Sequence, residues 1–288
     1  MTQTPATKTV LITGCSTGLG RTAALLFADS GWNVVATMRR PDPKLASTHP
    51  ERILVEALDV ADPESIEAAL AAGAARFGGI DAVVNNAGIT MLSVIETTPD
   101  AAIGRIFDTN VFGAIRVMRA AIPYLRRRGG GTIVNVSSGV GIAAMPLLSI
   151  YSASKQALEG LSESLSYELE SQGIRIKLIE PGPMRNTAFA ATGMAASAEA
   201  PVPEGYRAFF DHALAAMIDY PFPASPEDEV AAAILRAAGD TSTRLRYPVG
   251  PDAEEYARLR WTTSEEEYRA GMARLTGLEA WRAKTTAR

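Results

Sequence analysis

An α/β fold is what this sequence predicts: one Rossmann-type, doubly wound domain with a mostly parallel seven-stranded sheet between helices, then a C-terminal helical extension. Three observations carry it. Short β-branched runs alternate with longer Ala/Leu-rich stretches through most of the chain. The runs are nearly continuously apolar, as strands covered on both faces must be. A glycine cluster separates the first run from the first helical stretch, and no Pro/Gly/Ser-rich linker divides the chain beyond it. Residues 1–250 therefore read as one domain, and 251–288 as an extension packed on it.

The elements run in order along the chain. Thr9 to Thr13 is the first strand, with a helix from Gly18 to Ser30. Asn33 to Thr37 and Arg52 to Leu58 are the next strands. Asp62-Pro63 opens a helix to Phe77, with a capping carboxylate and a proline in the first turn. Ala82 to Asn85 is the fourth strand. One long helix is expected from Pro99 to Leu125, then strand Thr132 to Val136, a helix from Tyr151 to Ser171 and strand Arg175 to Ile179. Pro181 to Pro223 reads as irregular, with a substrate loop at 183–223, since connections this long are usually lids or binding loops. A helix starts near Ser225-Pro226 and the last strand lies at Arg244 to Tyr247. The tail adds charged helices with a capping box at Thr263 and Glu266.

Composition excludes several functions. The chain has 288 residues, 28 Lys plus Arg and 32 Asp plus Glu, for a net charge of −4. Such a mildly acidic chain lacks the clustered basic surface that nucleic acid requires. The run Arg126-Arg127-Arg128 reads as a solvated helix end. Cys15 is the only cysteine and His49 and His212 the only histidines, so no disulfide, cysteine-zinc site or histidine-rich metal centre is expected. No apolar stretch is long enough to span a bilayer and no signal peptide is evident, which makes a cytoplasmic protein the expectation.

The loop Thr13-Gly14-Cys15-Ser16-Thr17-Gly18-Leu19-Gly20 joins a strand to a helix. Glycines there let backbone approach a pyrophosphate, and the helix N-terminus favours its charge. Read alone, the loop also suits a glycine-rich turn with no ligand. An acidic residue about 20 positions on would take the ribose of NAD. Here the chain reads Thr37-Met38-Arg39-Arg40, and an arginine suits the 2′-phosphate of NADP unless both are plain surface arginines. NADP(H) is thus favoured over NAD(H). Tyr151 and Lys155 lie one helical turn apart on one face. A phenol with a pKa near ~10 needs help to exchange protons at neutral pH, and a neighbouring ammonium lowers that value.

The residues Thr13-Gly14, Gly18, Gly20, Asp59, Asn85-Asn86-Ala87-Gly88, Asn110, Ser138, Tyr151, Lys155 and Pro181-Gly182 occur in one order over almost the whole chain. In them the sequence resembles the short-chain dehydrogenase/reductase family. The resemblance implies that Ser138 holds the substrate oxygen and Tyr151 exchanges the proton. Lys155 would hold the nicotinamide ribose and lower the tyrosine pKa, and Asn110 would hold a water connecting Lys155 to solvent. Gly14, Ser16, Thr17, Gly18, Leu19, Gly20, Arg39, Asp59, Val60, Asn86, Ala87, Gly88, Pro181 and Gly182 would bind the dinucleotide. Ser137 rivals Ser138 but lies one residue too far from Tyr151.

Asn186 stands where the family often has threonine, with Thr187 next, so either is placed to meet the carboxamide. Met145, Leu147, Leu148, Met184, Phe189, Met194, Phe209 and Phe210 line an apolar pocket or pack in the core. The activity implied is NADP(H)-dependent interconversion of an apolar carbonyl and its alcohol by a homodimer or homotetramer. A catalytically idle dinucleotide sensor would need only the cofactor residues. An epimerase or dehydratase shares Tyr-x-x-x-Lys but has another glycine spacing.

Overall fold

The computed structural model describes residues 7–184 and 188–286. The strands are β1 (Thr9–Thr13), β2 (Asn33–Met38), β3 (Ile53–Ala57), β4 (Ala82–Asn85), β5 (Gly131–Val136), β6 (Ile174–Pro181) and β7 (Arg246–Val249). They form one sheet in the order β3-β2-β1-β4-β5-β6-β7, and every neighbouring pair is parallel. The expected sheet is therefore realised with no antiparallel edge. Every residue of β1 and β4 is buried, as central strands with helices on both faces require.

On one face, α1 (Gly18–Asp29) and α9 (Glu227–Gly239) bring Phe27, Val230 and Ile234 onto the sheet. On the other, α2 (Pro63–Phe77), α4 (Ala114–Arg127) and α6 (Ser149–Glu170) contribute Leu70, Met118 and Leu158. Each such fully buried side chain contributes about 1.5–3 kcal/mol. Local signals set the ends. Asp62 accepts from the Glu64 amide at 3.0 Å with Pro63 beside it, and left-handed Gly78 (φ 81°) stops α2.

Several expectations are corrected. The long helix from Pro99 divides into α3 (Asp100–Phe107), a π-turn over Asp108–Gly113, and α4. The segment expected to be irregular holds two helices, α7 (Ala188–Ala196) and α8 (Glu204–Ile218). In α7 the run of small residues shows almost no apolar stripe, which hid it from pattern reading. The capping box sits one residue on, at Ser264 and Glu267, because Thr263 instead donates to the Leu259 carbonyl at 2.6 Å. The last strand begins at Arg246, two residues later than the pattern suggests.

A short helix, α5 (Gly139–Ile142), follows β5. The tail forms α10 (Pro251–Thr262), α11 (Glu265–Leu275) and α12 (Leu278–Thr286). Tyr256, Leu259 and Met272 from α10 and α11 bury themselves against Ile142, Ala143 and Tyr220. Among the described residues, no helix is long and apolar enough to cross a membrane and no His/Cys/Asp/Glu group could hold a metal ion.

Behind the sheet's C-terminal end lies a buried charge cluster. Arg246 on β7 bonds Glu159 on α6, Glu180 on β6 at 2.9 Å and Glu163 at 3.2 Å. Glu180 is wholly enclosed, and burial together with the Glu159 charge pushes its carboxyl up to about 8. A raised carboxyl pKa means that the folded chain binds the proton more tightly than the unfolded chain. Its stabilisation is complete below the ordinary value of 4.5 and is lost as pH rises through about 8. We predict that the melting temperature falls between about pH 5 and pH 9. Glu180→Gln, which can still accept from Arg246, flattens most of that fall and melts a few degrees higher at the alkaline end. Parallel melting curves for both proteins across that window check this.

Candidate functional site

The chain leaves β1 for β2 on one side and returns as β4 on the other, so a crevice opens between the C-terminal ends of β1 and β4. A cleft of about 710 Å³ occupies it. The glycine loop forms its floor. Gly14 has φ +75°, and a Cβ there would come to 3.0 Å from the Ala87 Cα. At Gly20 a Cβ would lie 2.3 Å from the Gly14 carbonyl oxygen, so no larger residue fits. Thr17 leaves the start of α1 without a side-chain cap, so its first amides stay available to an anion.

Loop and β4 are tied together by polar bonds. The Thr13 hydroxyl accepts from the Asn86 and Ala87 amides, each at 3.0 Å, and Asn86 Nδ2 donates to the Thr13 carbonyl at 2.9 Å. Asn86 is thus consumed in shaping the loop. Cys15 is fully buried, with its thiol pushed up to about 12 by desolvation, which makes it a packing residue. Arg39 at the end of β2 lines the cleft, is exposed, and has no ion-pair partner among the described residues. Asp59 and Val60 line the far wall. One Asp59 oxygen accepts from the Ala61 amide at 2.9 Å. The uncapped helix start and the glycine cradle fit the pyrophosphate of a dinucleotide.

At the other end of the cleft, Ser138 follows β5 and caps α5, its Oγ accepting from the Val140 amide at 3.3 Å. Its hydroxyl lies near that of Tyr151, in the first turn of α6. The rival Ser137 is buried and turned toward Glu159. Leu147, ahead of α6, sits in the left-handed region at φ 62°, and its carbonyl accepts from the Ser93 amide at 2.9 Å. That conformation is costly for a branched side chain and turns the backbone into the helix bearing Tyr151.

Lys155 is buried, and its Nζ donates to the Val136 carbonyl at 2.9 Å and stands 5.8 Å from the centre of the Tyr151 ring. Burial pulls its pKa down to about 8 against the opposing pull of Glu159. The Tyr151 phenol is pushed up to about 12 by burial, with the nearby Ser138 hydroxyl working the other way. Burial is thus the larger influence on this phenol.

Asn110 is also repositioned. It is buried in the π-turn, one layer behind the cleft wall, where Asp108 and Thr109 take its place. Its side chain accepts from the Ile89 amide at 2.8 Å and donates to the Ile89 carbonyl at 2.8 Å and to Ser154 Oγ at 3.0 Å. It is a positioning residue that fastens the loop after β4 to α6. The remaining expected residues, including Leu19, Gly88, Pro181 and Gly182, line the one cleft. Asn186 and Thr187 lie outside the described residues.

The apolar candidates divide. Met145, Leu148, Met184, Phe189 and Met194 line the cleft, with the Phe189 ring 5.9 Å from that of Tyr151. Leu147, Phe209 and Phe210 pack in a separate core cluster. Sequence reading missed Tyr220, Asp252 and Tyr256, which also line the cleft. Only the length of the tail hinted at them.

The short chain dehydrogenase profile matches residues 8–197. An uncharacterised oxidoreductase of Schizosaccharomyces pombe is 36% identical over 248 residues, 84% of this chain and 100% of the relative. Among solved structures, a short-chain dehydrogenase from Streptomyces avermitilis superposes with a TM-score of 0.77 at 32% identity, covering 98% of this chain and 99% of that one. A 3-ketoacyl-(acyl-carrier-protein) reductase from Brucella melitensis complexed with NADH gives a TM-score of 0.71 at 26% identity, covering 85% and 98%. A short chain dehydrogenase from Burkholderia cenocepacia in complex with NADP gives 0.70 at 25%, covering 93% and 97%.

We predict that Asn110→Ala leaves the Ile89 amide and carbonyl without their partner and costs about 2 kcal/mol. The urea midpoint falls while the slope stays constant, and dinucleotide affinity drops several-fold. Urea titration and fluorescence titration check both. An unshifted midpoint would mean that solvent replaces the side chain at no cost.

Proposed function

The chain belongs to the short-chain dehydrogenase family, and from that premise we propose that it is an NADP(H)-dependent reductase of apolar ketones or aldehydes. As an oxidoreductase of this family it uses a nicotinamide dinucleotide, which supplies the hydride. The observation that carries the finer reading is the Ser138–Tyr151 hydroxyl pair beside buried Lys155, at the apolar end of the dinucleotide cleft.

Two neighbouring hydroxyls face one cleft, which suits a carbonyl oxygen. Ser138 polarises that oxygen and Tyr151 gives it a proton. With its phenol held up at about 12, Tyr151 is protonated at neutral pH and is a donor before it is a base, which favours reduction. Lys155 carries its charge at neutral pH with a pKa of about 8, so it can hold a sugar hydroxyl and steady the developing phenolate. Met145, Leu148 and Phe189 exclude water from the reacting end and favour apolar substrates.

Tyr151→Phe removes one hydroxyl and leaves the ring against Phe189, so turnover of a reducible ketone falls by at least ~10²–10⁴-fold with NADPH affinity retained. Ser138→Ala lowers kcat in the same way. Lys155→Ala weakens both NADPH binding and turnover. Steady-state rates with a ketone panel, beside fluorescence titration of NADPH, separate the three patterns. Near-normal kcat in Tyr151→Phe would overturn the mechanism.

Arg39 supports NADP(H) over NAD(H), because an exposed guanidinium with no protein carboxylate to satisfy is free for a 2′-phosphate. Arg39→Asp is expected to raise the KM for NADPH by about tenfold or more while leaving that for NADH nearly constant. Equal losses for both cofactors would show that Arg39 does not read the phosphate.

A further inference from the structure

The C-terminal helices supply a polar corner to the otherwise apolar substrate end. Tyr256 of α10 lays its ring on Gly139, the residue after Ser138, where a Cβ would come to 3.1 Å. The Tyr256 hydroxyl meets that of Tyr220, which lies just past α8. Both tyrosines are buried and both line the cleft that holds Ser138 and Tyr151. Two phenols have two protons. One serves the bond between them, and the Tyr256 proton is offered to the sulfur of Met145 at 3.6 Å. A thioether is a weak acceptor, so this proton is poorly used.

A second group conditions the corner. Asp252, in the first turn of α10, has no exposed surface, and neither of its carboxylate oxygens has a side-chain partner among the described residues. The donors near it are the amides of its own residue and of Ala253. It faces Gly182 so closely that a Cβ there would sit 2.1 Å from Oδ1. Its field bears on both phenols and, with burial, pushes their pKa values up, Tyr220 to about 12. Burial pushes the Asp252 carboxyl up as well, so the corner offers neutral hydroxyls beside an enclosed acidic group whose oxygens lack donors.

Resting on the carbonyl-reductase reading, we propose that Tyr220 and Tyr256 form a second recognition point. Its ligand is a neutral oxygen of the substrate, a hydroxyl or ether, held remote from the reacting carbonyl. Such an oxygen accepts the proton now left to Met145 and takes no penalty from Asp252. A carboxylate in the same place meets the unpartnered Asp252 oxygens, acceptor against acceptor, and is disfavoured. The substrate class is then an apolar ketone or aldehyde with a second, uncharged oxygen function.

The test uses the full chain with NADPH and three matched series of graded length: alkyl methyl ketones, their ω-hydroxy counterparts and their ω-carboxy counterparts. At the best length, kcat/KM for the hydroxy compound should exceed that of the plain ketone by about tenfold, the worth of one good buried hydrogen bond. The carboxy compound should be the poorest. Tyr256→Phe and Tyr220→Phe should each bring the hydroxy-to-plain ratio close to one. Asp252→Asn should raise the carboxy series about tenfold relative to the plain one.

An NADPH Kd close to that of the unaltered chain establishes that a variant has kept its cleft, and the two tyrosine variants probe the corner from different elements. Calorimetric Kd values for the same compounds on the chain loaded with oxidised NADP, which has no hydride to give, read the same ratios without turnover. If no ketone is reduced while calorimetry shows the hydroxy preference and its loss in the variants, the carbonyl reading falls and the recognition point stands. Ratios that neither tyrosine variant moves, by rate and by calorimetry, would overturn it.

Discussion

Between β1 and β4 the sheet turns its connections in opposite directions, and the backbone at that parting has to be closed without a neighbouring loop to pair with. The Thr13 hydroxyl does most of this, accepting the amides of Asn86 and Ala87, while Asn86 reaches back to the Thr13 carbonyl. Buried amides left open would cost about 1–3 kcal/mol each, so these bonds fix the parting tightly. Once it is fixed, the glycine loop has no room for side chains, since Gly14 and Gly20 press on Ala87 and on the loop's own backbone. The lack of side chains is what exposes the first amides of α1. Phosphate affinity thus follows from a packing constraint at the sheet.

The same closure reaches the reacting end through Asn110. The π-turn over Asp108–Gly113 widens the helix by one residue and turns this side chain inward, where it fastens Ile89 and Ser154. Ser154 in turn donates to the Tyr151 carbonyl at 2.7 Å. A continuous run of short bonds therefore links the loop after β4 to the backbone of Tyr151. Lys155 is held from a third side by the Val136 carbonyl at the end of β5. β5, the loop after β4 and the π-turn hence set the relative positions of the tyrosine and the lysine on α6.

Much of this was legible in sequence, and the failures share a cause. The strands and α1, α2 and α6 were readable because their apolar periodicity is set by a sheet that buries both faces. The cofactor residues were readable because close backbone approach demands glycine at fixed places such as Gly14 and Gly20. Asn110 was visible as a residue but not as a π-turn, since an inserted residue in a helix leaves the apolar stripe nearly unchanged. The helices at 188–196 and 204–218 were hidden by small residues and flanking prolines. The phenol and lysine pKa values depend on how much water the packed cleft excludes, which spacing along α6 does not encode. Tyr220 and Tyr256 were invisible for a related reason. They lie 36 residues apart, and only the tail's return across α5 joins them.

Burial has opposite consequences at the two charged centres, and the difference is one of partners. Glu159 and Glu180 share one arginine, so one carboxyl keeps its proton and the cluster stays close to neutral at physiological pH. Lys155 lies one turn before Glu159 on α6, and that carboxylate partly restores the charge that burial disfavours. Arg246 thereby governs how much negative field reaches Lys155: the more fully it neutralises Glu159, the more easily the lysine gives up its proton. Burial is the larger influence on the Lys155 ammonium, and Glu159, itself bonded to the β7 arginine, opposes it from behind the sheet. The cleft lining from α7, α8 and α10 lies on the tail side, while the charge beside Lys155 comes from the β6–β7 side. The shape of the cleft end and the electrostatics at Lys155 thus rest on different elements.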